Sequence, residues 1–546
     1  SRQRTKPVPL ETDVFDDVPP VGRKRAAAPV AAGSDPEARR ATEPVAKSAP
    51  ARRTDGFDLP PLSMLALTPS SAGKHQATEK ELRETADVIE ATLATFDIQA
   101  RVVEWIPGPT VTMFEIQIAK GVKVHRITAL SDDMALALAA PTIRILAPIP
   151  GKSLIGFEVP NDRRATVTLG DTFAAARLTD EGPLALLIGK DVSGESVVAD
   201  LAKMPHLLIA GATGTGKSVC INTLLTTLLM RATPSEVRLI LIDPKRIELS
   251  LYNGVPHLYV PVVTEIKEAA SALAWAVDEM ARRLKLLQKS GARNTLQYNV
   301  LVSQGKAGEG AEPLPYLVIV IDELADLMMV AAREVEDSIV RIAQLARAAG
   351  IHLVVATQRP EANVVTGLIK ANITNRIAFN VATAIDSRVI LDTSGAERLI
   401  GMGDMLFSTP QWPKPKRIQG AFVSEDETVR IVEHLKGQGE PDYHEEILHL
   451  KVAAAGGGVD TGEDDDPLVW EAADVVVTTG MGSTSMIQRR FKVGYARAGR
   501  IMDMLEAKGI VGPPDGSKPR EVLVDVEGLE AIRAFERQDA LKGGDA

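Results

Sequence analysis

His206-Leu-Leu-Ile-Ala-Gly-Ala-Thr-Gly-Thr-Gly-Lys-Ser218 is the stretch on which the reading of this chain turns. Its second part, Gly211 to Ser218, matches G-x-x-x-x-G-K-[ST] in full. It follows an apolar run and opens a helical stretch, Val219 to Met230, which is the context such a loop requires. Glycines allow backbone N–H groups to turn inward around phosphate oxygens, and the start of the helix adds a positive dipole. Gly211, Ala212, Thr213, Gly214, Thr215, Gly216, Lys217, Ser218 and Val219 are therefore read as the nucleotide-binding loop. Lys217 would reach the β- and γ-phosphates, and the Ser218 hydroxyl would hold Mg²⁺. The plain alternative, a glycine-rich turn with a chance lysine, does not explain the strand before it and the helix after it.

Working outward, Val237 to Asp243, Leu317 to Asp322, Ile351 to Ala356 and Arg376 to Val381 are further short runs of Val, Ile and Leu. Together with His206 to Ala210 they predict buried parallel strands in an α/β sheet. The run Leu317-Val-Ile-Val-Ile-Asp322-Glu323 ends in two carboxylates. Asp322 would complete the Mg²⁺ sphere, and Glu323, pointing differently, would polarise a water for attack on the γ-phosphate. Two acids capping the next helix is the weaker account once the phosphate loop is granted. Hydrolysis of a nucleoside triphosphate is thus expected. Gln358, at the tip of Ile351-His-Leu-Val-Val-Ala-Thr357, either senses the γ-phosphate or stands there incidentally. Arg347, in Gln344-Leu-Ala-Arg-Ala-Ala-Gly350, is either a solvated helix end or reaches a neighbour's nucleotide.

The chain has 546 residues, 45% hydrophobic and 25% charged, enough for about three or four domains. A single cysteine, Cys220, excludes an internal disulfide framework and a multi-cysteine zinc site. No stretch reaches the roughly 18 apolar residues of a membrane span. Pro141, Arg144 and Pro148 interrupt the best candidate, Met134 to Pro150, so a soluble, cytoplasmic chain is expected. A net charge of −10 weakly disfavours a nonspecific nucleic-acid coat but leaves room for a local basic face.

The expected organisation has five parts. Residues 1–58, rich in Pro, Ala and Arg, read as a disordered tether. Residues 59–177 read as an α+β domain. It begins with an apolar anchor, Leu59 to Leu65, expected to dock on this first folded unit. A helix from Glu79 to Phe96 would bury Leu82, Ala86, Ile89 and Leu93, and another helix is expected over Lys123 to Ala139. Val111 to Ile118 and Leu154 to Val159 read as strands. Residues 178–452 read as the P-loop core, 453–466 as a flexible acidic linker and 467–546 as a small helical domain with a final strand, Arg520 to Val524.

In that last part, Thr484 to Phe491, a turn at Gly494, and Tyr495 to Lys508 read helix–turn–helix, and Lys518 to Val524 reads as a wing. Arg489, Arg490, Lys492, Arg497, Arg500 and Lys508 stand against Asp503 and Glu506, while Ile501, Met504 and Leu505 would face the core. A winged helix placing Tyr495 to Glu506 in a major groove follows, with protein contact as the alternative use.

Taken in order, these motifs resemble the FtsK/SpoIIIE family of bacterial DNA translocases. The resemblance rests on Gly108-Pro-Thr-Val-Thr-Met-Phe-Glu115, Ala147-Pro-Ile-Pro-Gly-Lys-Ser-Leu-Ile-Gly156, the phosphate loop and Leu241-Ile-Asp-Pro-Lys-Arg-Ile-Glu-Leu249. It extends through Gly350 to Pro360, Arg388-Val-Ile-Leu-Asp392, Gly401-Met-Gly-Asp-Met-Leu406 and Gln488-Arg-Arg-Phe-Lys-Val-Gly-Tyr-Ala-Arg-Ala498. It implies a RecA-like P-loop ATPase core between an N-terminal α+β domain and a C-terminal winged helix. The core would form a homohexameric ring around double-stranded DNA and bind ATP between subunits, with Arg347 as a finger in trans. Arg359, Lys370 and Arg388 would touch DNA phosphates in the pore. Ala382-Thr-Ala-Ile-Asp386 holds no lysine where many relatives are basic, and Ala496 stands where relatives often have Asn. The resemblance also implies tyrosine recombinases and division proteins as partners, and an N-terminal anchor at the inner membrane of the septum, absent from this chain. Competing readings are a conjugative coupling or secretion ATPase, a DNA-binding regulator with an ATPase switch, and a small-molecule kinase.

Overall fold

Leu82, Ala86, Ile89 and Leu93 recur at helical spacing and form the buried face of α1 (Glu79–Thr95). Thr78 and Glu81 close a capping box at its start. The helix packs on a four-stranded antiparallel sheet of β1 (Ala100–Pro107), β2 (Val111–Ile118), β3 (Arg144–Leu146) and β4 (Ile155–Pro160), in the order β1-β2-β4-β3. Where one helix was expected over Lys123 to Ala139 there are two short ones, Val124–Thr128 and Ser131–Ala137. Asp132 and Asp133 sit in the first turn of the second, where negative charge favours a helix start over a helix interior.

The structure, a computed structural model, describes residues 53–54, 56–68, 77–176, 178, 181–449, 468–491, 493–513 and 519–533. Residues 1–52 of the expected tether and the expected linker, 453–466, lie outside the described residues. Two compact units are present, Ser1–Ala455 and Gly456–Ala546.

A nine-stranded sheet organises the rest of the first unit. Its strands are β5 (Ala185–Asp191), β6 (Ser196–Asp200), β7 (His206–Ala210), β8 (Val237–Ile242), β9 (Tyr316–Ile321), β10 (Ile351–Thr357), β11 (Asn375–Phe379), β12 (Asp404–Ser408) and β13 (Lys416–Gly420). The order is β8-β9-β10-β7-β11-β12-β13-β5-β6. The first five run parallel and the last four continue antiparallel. The five strands expected from apolar runs are these parallel ones. Successive residues alternate between faces: Leu207, Ile209, Val318 and Val320 point to one core, Leu208, Ala210, Ile319 and Ile321 to the other. Helix α2 (Lys217–Leu229) covers the first face, while α3 (Ile266–Ser290) and α4 (Leu324–Ala349) cover the second. Burial on both faces is why those strands read as unbroken apolar runs.

The anchor does not dock on the α+β domain. Leu65 belongs to the core of the nine-stranded sheet, Ala66 N–H donates to Glu427, and Arg430 donates to the Met64 carbonyl. Helix Glu425–Lys436 thus offers the anchor both an apolar face and polar partners. The end of the expected tether is also structured: Arg53–Thr54 pairs with Phe57–Asp58, and Phe57 meets His257 edge-on.

In the second unit, α5 (Val469–Thr479), α6 (Thr484–Phe491) and α7 (Tyr495–Ala507) enclose a small core. Ile501, Met502 and Leu505 are buried, whereas Met504, expected inside, is only partly covered. The expected final strand is reduced to two isolated bridges, Gly482–Arg520 and Val511–Val522, and the wing tip, 514–518, lies outside the described residues.

Candidate functional site

Parallel strands end on a common edge, so every loop that leaves them meets there. Four such ends build the site: Gly211–Ser218 after β7, Asp243–Glu248 after β8, Asp322–Glu323 after β9 and Gln358 after β10. The phosphate loop, Glu248 and Gln358 line a cleft of about 670 Å³ whose other walls come from Arg164–Val167 and Gln419–Phe422, while Asp322 and Glu323 stand outside its lining.

The glycines do what the motif requires. Gly214 and Gly216 have φ of +77° and +121°, a region side-chain-bearing residues avoid. Gly211 packs so closely on Phe379 that an added Cβ would lie 2.5 Å from the Phe379 Cβ. Thr215 Oγ1 donates to the Ala212 carbonyl, and Ala212 N–H donates to the Asn380 carbonyl at 2.9 Å, tying the loop to β11. Val219 follows in the first turn of α2 and lines the cleft.

Lys217 is buried, and its Nζ donates to the Asp322 carbonyl and to Asp322 Oδ1 at 2.6 and 2.7 Å. Burial, together with Asp243 and Glu248 nearby, pushes Asp322 above the ordinary aspartate value despite Lys217. Asp322 Oδ2 is buried without a partner. Ser218 Oγ donates to Glu248 Oε1 at 2.7 Å. An orphaned carboxylate oxygen at a strand tip and a serine hydroxyl at a helix start are oxygen donors that fit a hard cation brought in with a nucleotide. Among the described residues no three acids or histidines cluster as a metal cage, so most ligands of such an ion would be phosphate and water.

Glu323 is buried and held from several sides. Thr357 Oγ1 donates to it at 2.7 Å, Lys245 Nζ at 3.0 Å and the Gln358 N–H at 3.2 Å. Burial raises its carboxyl, but the Thr357 hydroxyl and the Lys245 ammonium outweigh that and hold it below the ordinary glutamate value. It is an ionised carboxylate with fixed orientation. Gln358 does touch the loop: its Oε1 accepts from Thr213 Oγ1 at 2.7 Å.

Lys245, Glu248 and Thr357 were not singled out from the sequence. The signal was the second strand ending in an aspartate, Asp243, whose carboxylate accepts from the N–H groups of Lys245, Glu248 and Leu249. That turn is what delivers Lys245 to Glu323 and Glu248 to Ser218.

Arg347 is not in this cleft. Helix α4 is capped by Glu323 on the strand-end edge, kinks at Ala331 and runs back across the sheet, placing Arg347 in its last turn just before the start of β10. Among the DNA candidates, Arg359 is exposed with a contact to Met329, and Lys370 is tied to Asp392 at 2.8 Å. Arg388 is exposed on helix Ala384–Leu391. In the second unit Arg489 and Arg490 are exposed in the last turn of α6, and Arg497 is half-buried on α7. Lys492 and the Arg500 side chain lie outside the described residues. Arg520 grips both acids of α7, at 2.6 Å from Asp503 and 2.7 Å from Glu506, so the two charges that oppose the basic face are offset.

Three family descriptions match in the same order along the chain: the FtsK alpha domain at residues 59–161, the FtsK/SpoIIIE family at 173–362 and the Ftsk gamma domain at 463–525. The chain belongs to the FtsK/SpoIIIE family. It is 51% identical over 478 residues to DNA translocase FtsK of Clostridium acetobutylicum, covering 87% of this chain and 61% of that protein. It is 50% identical over 480 residues to DNA translocase SpoIIIE of Bacillus subtilis, covering 87% and 60%. The chain therefore spans about three fifths of the length of these relatives. Among solved structures, the monomer of the pCW3 conjugation coupling protein TcpA is similar over 64% of this chain and 99% of that one, with TM-score 0.45 and 24% identity. The fold is that of a RecA-like P-loop ATPase core, and the gamma domain is a winged helix. Among the described residues no helix is long and apolar enough to cross a membrane.

Proposed function

We propose that this chain hydrolyses ATP with Mg²⁺ to move double-stranded DNA during chromosome segregation, as a homohexameric ring oriented by the winged helix. The observation that carries the reading is Glu323. It is an ionised, buried carboxylate beside the phosphate loop, fixed by Thr357 and Lys245 for abstraction of a proton from water. Lys217 and the N–H groups of the loop would hold the phosphates, and Ser218 with Asp322 Oδ2 would hold the metal, which would offset the negative charge of the phosphates.

Arg347 supports a ring. It stands on the opposite edge of the sheet from its own nucleotide cleft, so the site it can complete is a neighbour's, and hydrolysis would then require assembly. The pore contacts, Arg359, Lys370 and Arg388, would be to phosphates and hence indifferent to sequence, while Arg489, Arg490, Lys492, Arg497 and Arg500 would serve the sequence-reading unit. Within the relatives' full length, a septal inner-membrane anchor and contacts with tyrosine recombinases and division proteins belong to the same proposal.

ATP hydrolysis on linear duplexes of increasing length, with triplex displacement alongside, tests it. Stimulation plus displacement is expected. Glu323→Gln should retain nucleotide and hydrolyse it at least about 100-fold more slowly. Hydrolysis stimulated without displacement would point to a switch, and no response to DNA would sink the motor reading in favour of a secretion ATPase.

A further inference from the structure

Gly401, Met402 and Gly403 are three consecutive residues with positive φ, +75°, +54° and +88°. Met402 carries a side chain in that region, and 80% of its surface is exposed, so its own packing does not hold the turn. The turn matters because Gly403 N–H donates to the carbonyl of Thr215 in the phosphate loop at 2.9 Å. An added Cβ on Gly216 would lie 2.8 Å from Gly403 Cα, so the two backbones are in direct contact.

Two separate routes hold this turn, and both begin in the α+β domain. In the first, Glu158 on β4 accepts from Arg417 at 3.0 Å, Arg417 forks onto both oxygens of Asp404 at 2.9 and 2.6 Å, and Asp404 Oδ2 accepts the Ile400 N–H. Glu158, Arg417 and Asp404 are all buried. In the second, Thr110 Oγ1 donates to Gln419 Oε1 at 3.0 Å, and Gln419 Nε2 donates to the Met402 carbonyl at 2.8 Å. Arg417 and Gln419 are alternate residues of β13, so both side chains project from one face of that strand.

We propose that the turn from Ile400 to Asp404 relays the placement of the α+β domain to the phosphate loop, with Arg417 and Gln419 as positioning residues for nucleotide affinity. This rests on the reading of Gly211–Ser218 as the nucleotide site. A turn with Met402 in a strained conformation, clamped from one domain and bonded to the loop that grips phosphate, shifts that loop when the clamp shifts. In a translocating ring, it would let a nucleotide change on one side be felt as a domain movement on the other.

Removing Arg417 leaves Asp404 a buried carboxylate without a cation, and Glu158 with Arg144 alone, and would unfold the region, so the test uses the second route in the full chain. Binding of mant-ADP, and KM and kcat for ATP, are measured for Gln419→Ala, Thr110→Val, Thr110→Ser and the double variant Gln419→Ala/Thr110→Val. Gln419→Ala and Thr110→Val should each weaken mant-ADP binding about three- to tenfold, the scale of a lost hydrogen bond, and raise KM more than they lower kcat. The double variant should bind no more weakly than Gln419→Ala alone, and Thr110→Ser should bind as the unaltered chain does. Unchanged binding in the single variants, or losses that multiply in the double, would overturn the relay. Failure of the unaltered chain to bind mant-ADP would instead overturn the nucleotide site and the relay with it.

Discussion

Lys217 Nζ lies 2.7 Å from Asp322 Oδ1, with the two side chains 3% and 0% exposed. Each is the other's charge partner in the folded chain. A phosphate entering the loop would compete with Asp322 for the ammonium, and the freed carboxylate would then be available to a metal ion accompanying the phosphate.

Lys217→Ala should therefore cost stability as well as binding. A buried carboxylate left alone is expensive, about 3–5 kcal/mol, whereas removing both charges is far milder. Urea unfolding should rank Lys217→Ala below Lys217→Ala/Asp322→Asn, with mant-ADP binding lost in both. Equal midpoints would show that the pair is not the coupled unit described.

Gly216→Ala and Gly214→Ala separate conformational strain from crowding. Both positions need positive φ, which costs a side-chain-bearing residue about 1–2 kcal/mol. Only at Gly216 does an added Cβ also meet backbone, at 2.8 Å from Gly403, while at Gly214 the space is open. Gly216→Ala should be the less stable variant in thermal unfolding by more than about 1 kcal/mol. Similar midpoints would argue against the close contact with Gly403.

Arg347→Ala should leave mant-ADP binding intact and slow hydrolysis by the assembled protein about 1,000-fold or more. The split follows from its place in the last turn of α4, away from its own cleft. A parallel loss of nucleotide affinity would mean that it acts structurally on its own subunit.

Three buried histidines make stability depend on pH. Burial, with His352 as a smaller neighbouring cause, lowers His206 to about 3; burial also lowers His257 and His352 to about 4, against an ordinary 6.5. As pH falls below 6.5 the unfolded chain takes up protons that the folded chain refuses until about 4. Stability is thus full above that ordinary value and declines between the two, by up to about 1.4 kcal/mol per pH unit for each group. Urea midpoints from about pH 7 to about pH 5 should fall steadily, and His352→Gln should flatten the slope by roughly a third. A flat profile in the unaltered chain would mean that these rings are hydrated.

What was legible along the chain is what repeats or recurs locally. The parallel strands were, because burial on both faces leaves unbroken runs of Val, Ile and Leu. So was the phosphate loop, since its glycines answer to backbone geometry within a few residues. Asp322 and Glu323 were readable from their position at a strand tip. The antiparallel half of the sheet was not: β13 reads Lys-Arg-Ile-Gln-Gly, and its buried Arg417 looks like a surface residue until Glu158 and Asp404 are placed around it. The anchor from Leu59 to Leu65 carries its apolar residues openly, yet nothing local says which of two cores will receive them; Glu427 and Arg430, more than 350 residues on, decide it. The same holds for Lys245 on Glu323 and Arg520 on Asp503 and Glu506. Motif and period are properties of neighbouring residues, whereas the partner of a buried charge is chosen by the desolvation it must offset, and that choice exists only once distant strands have met.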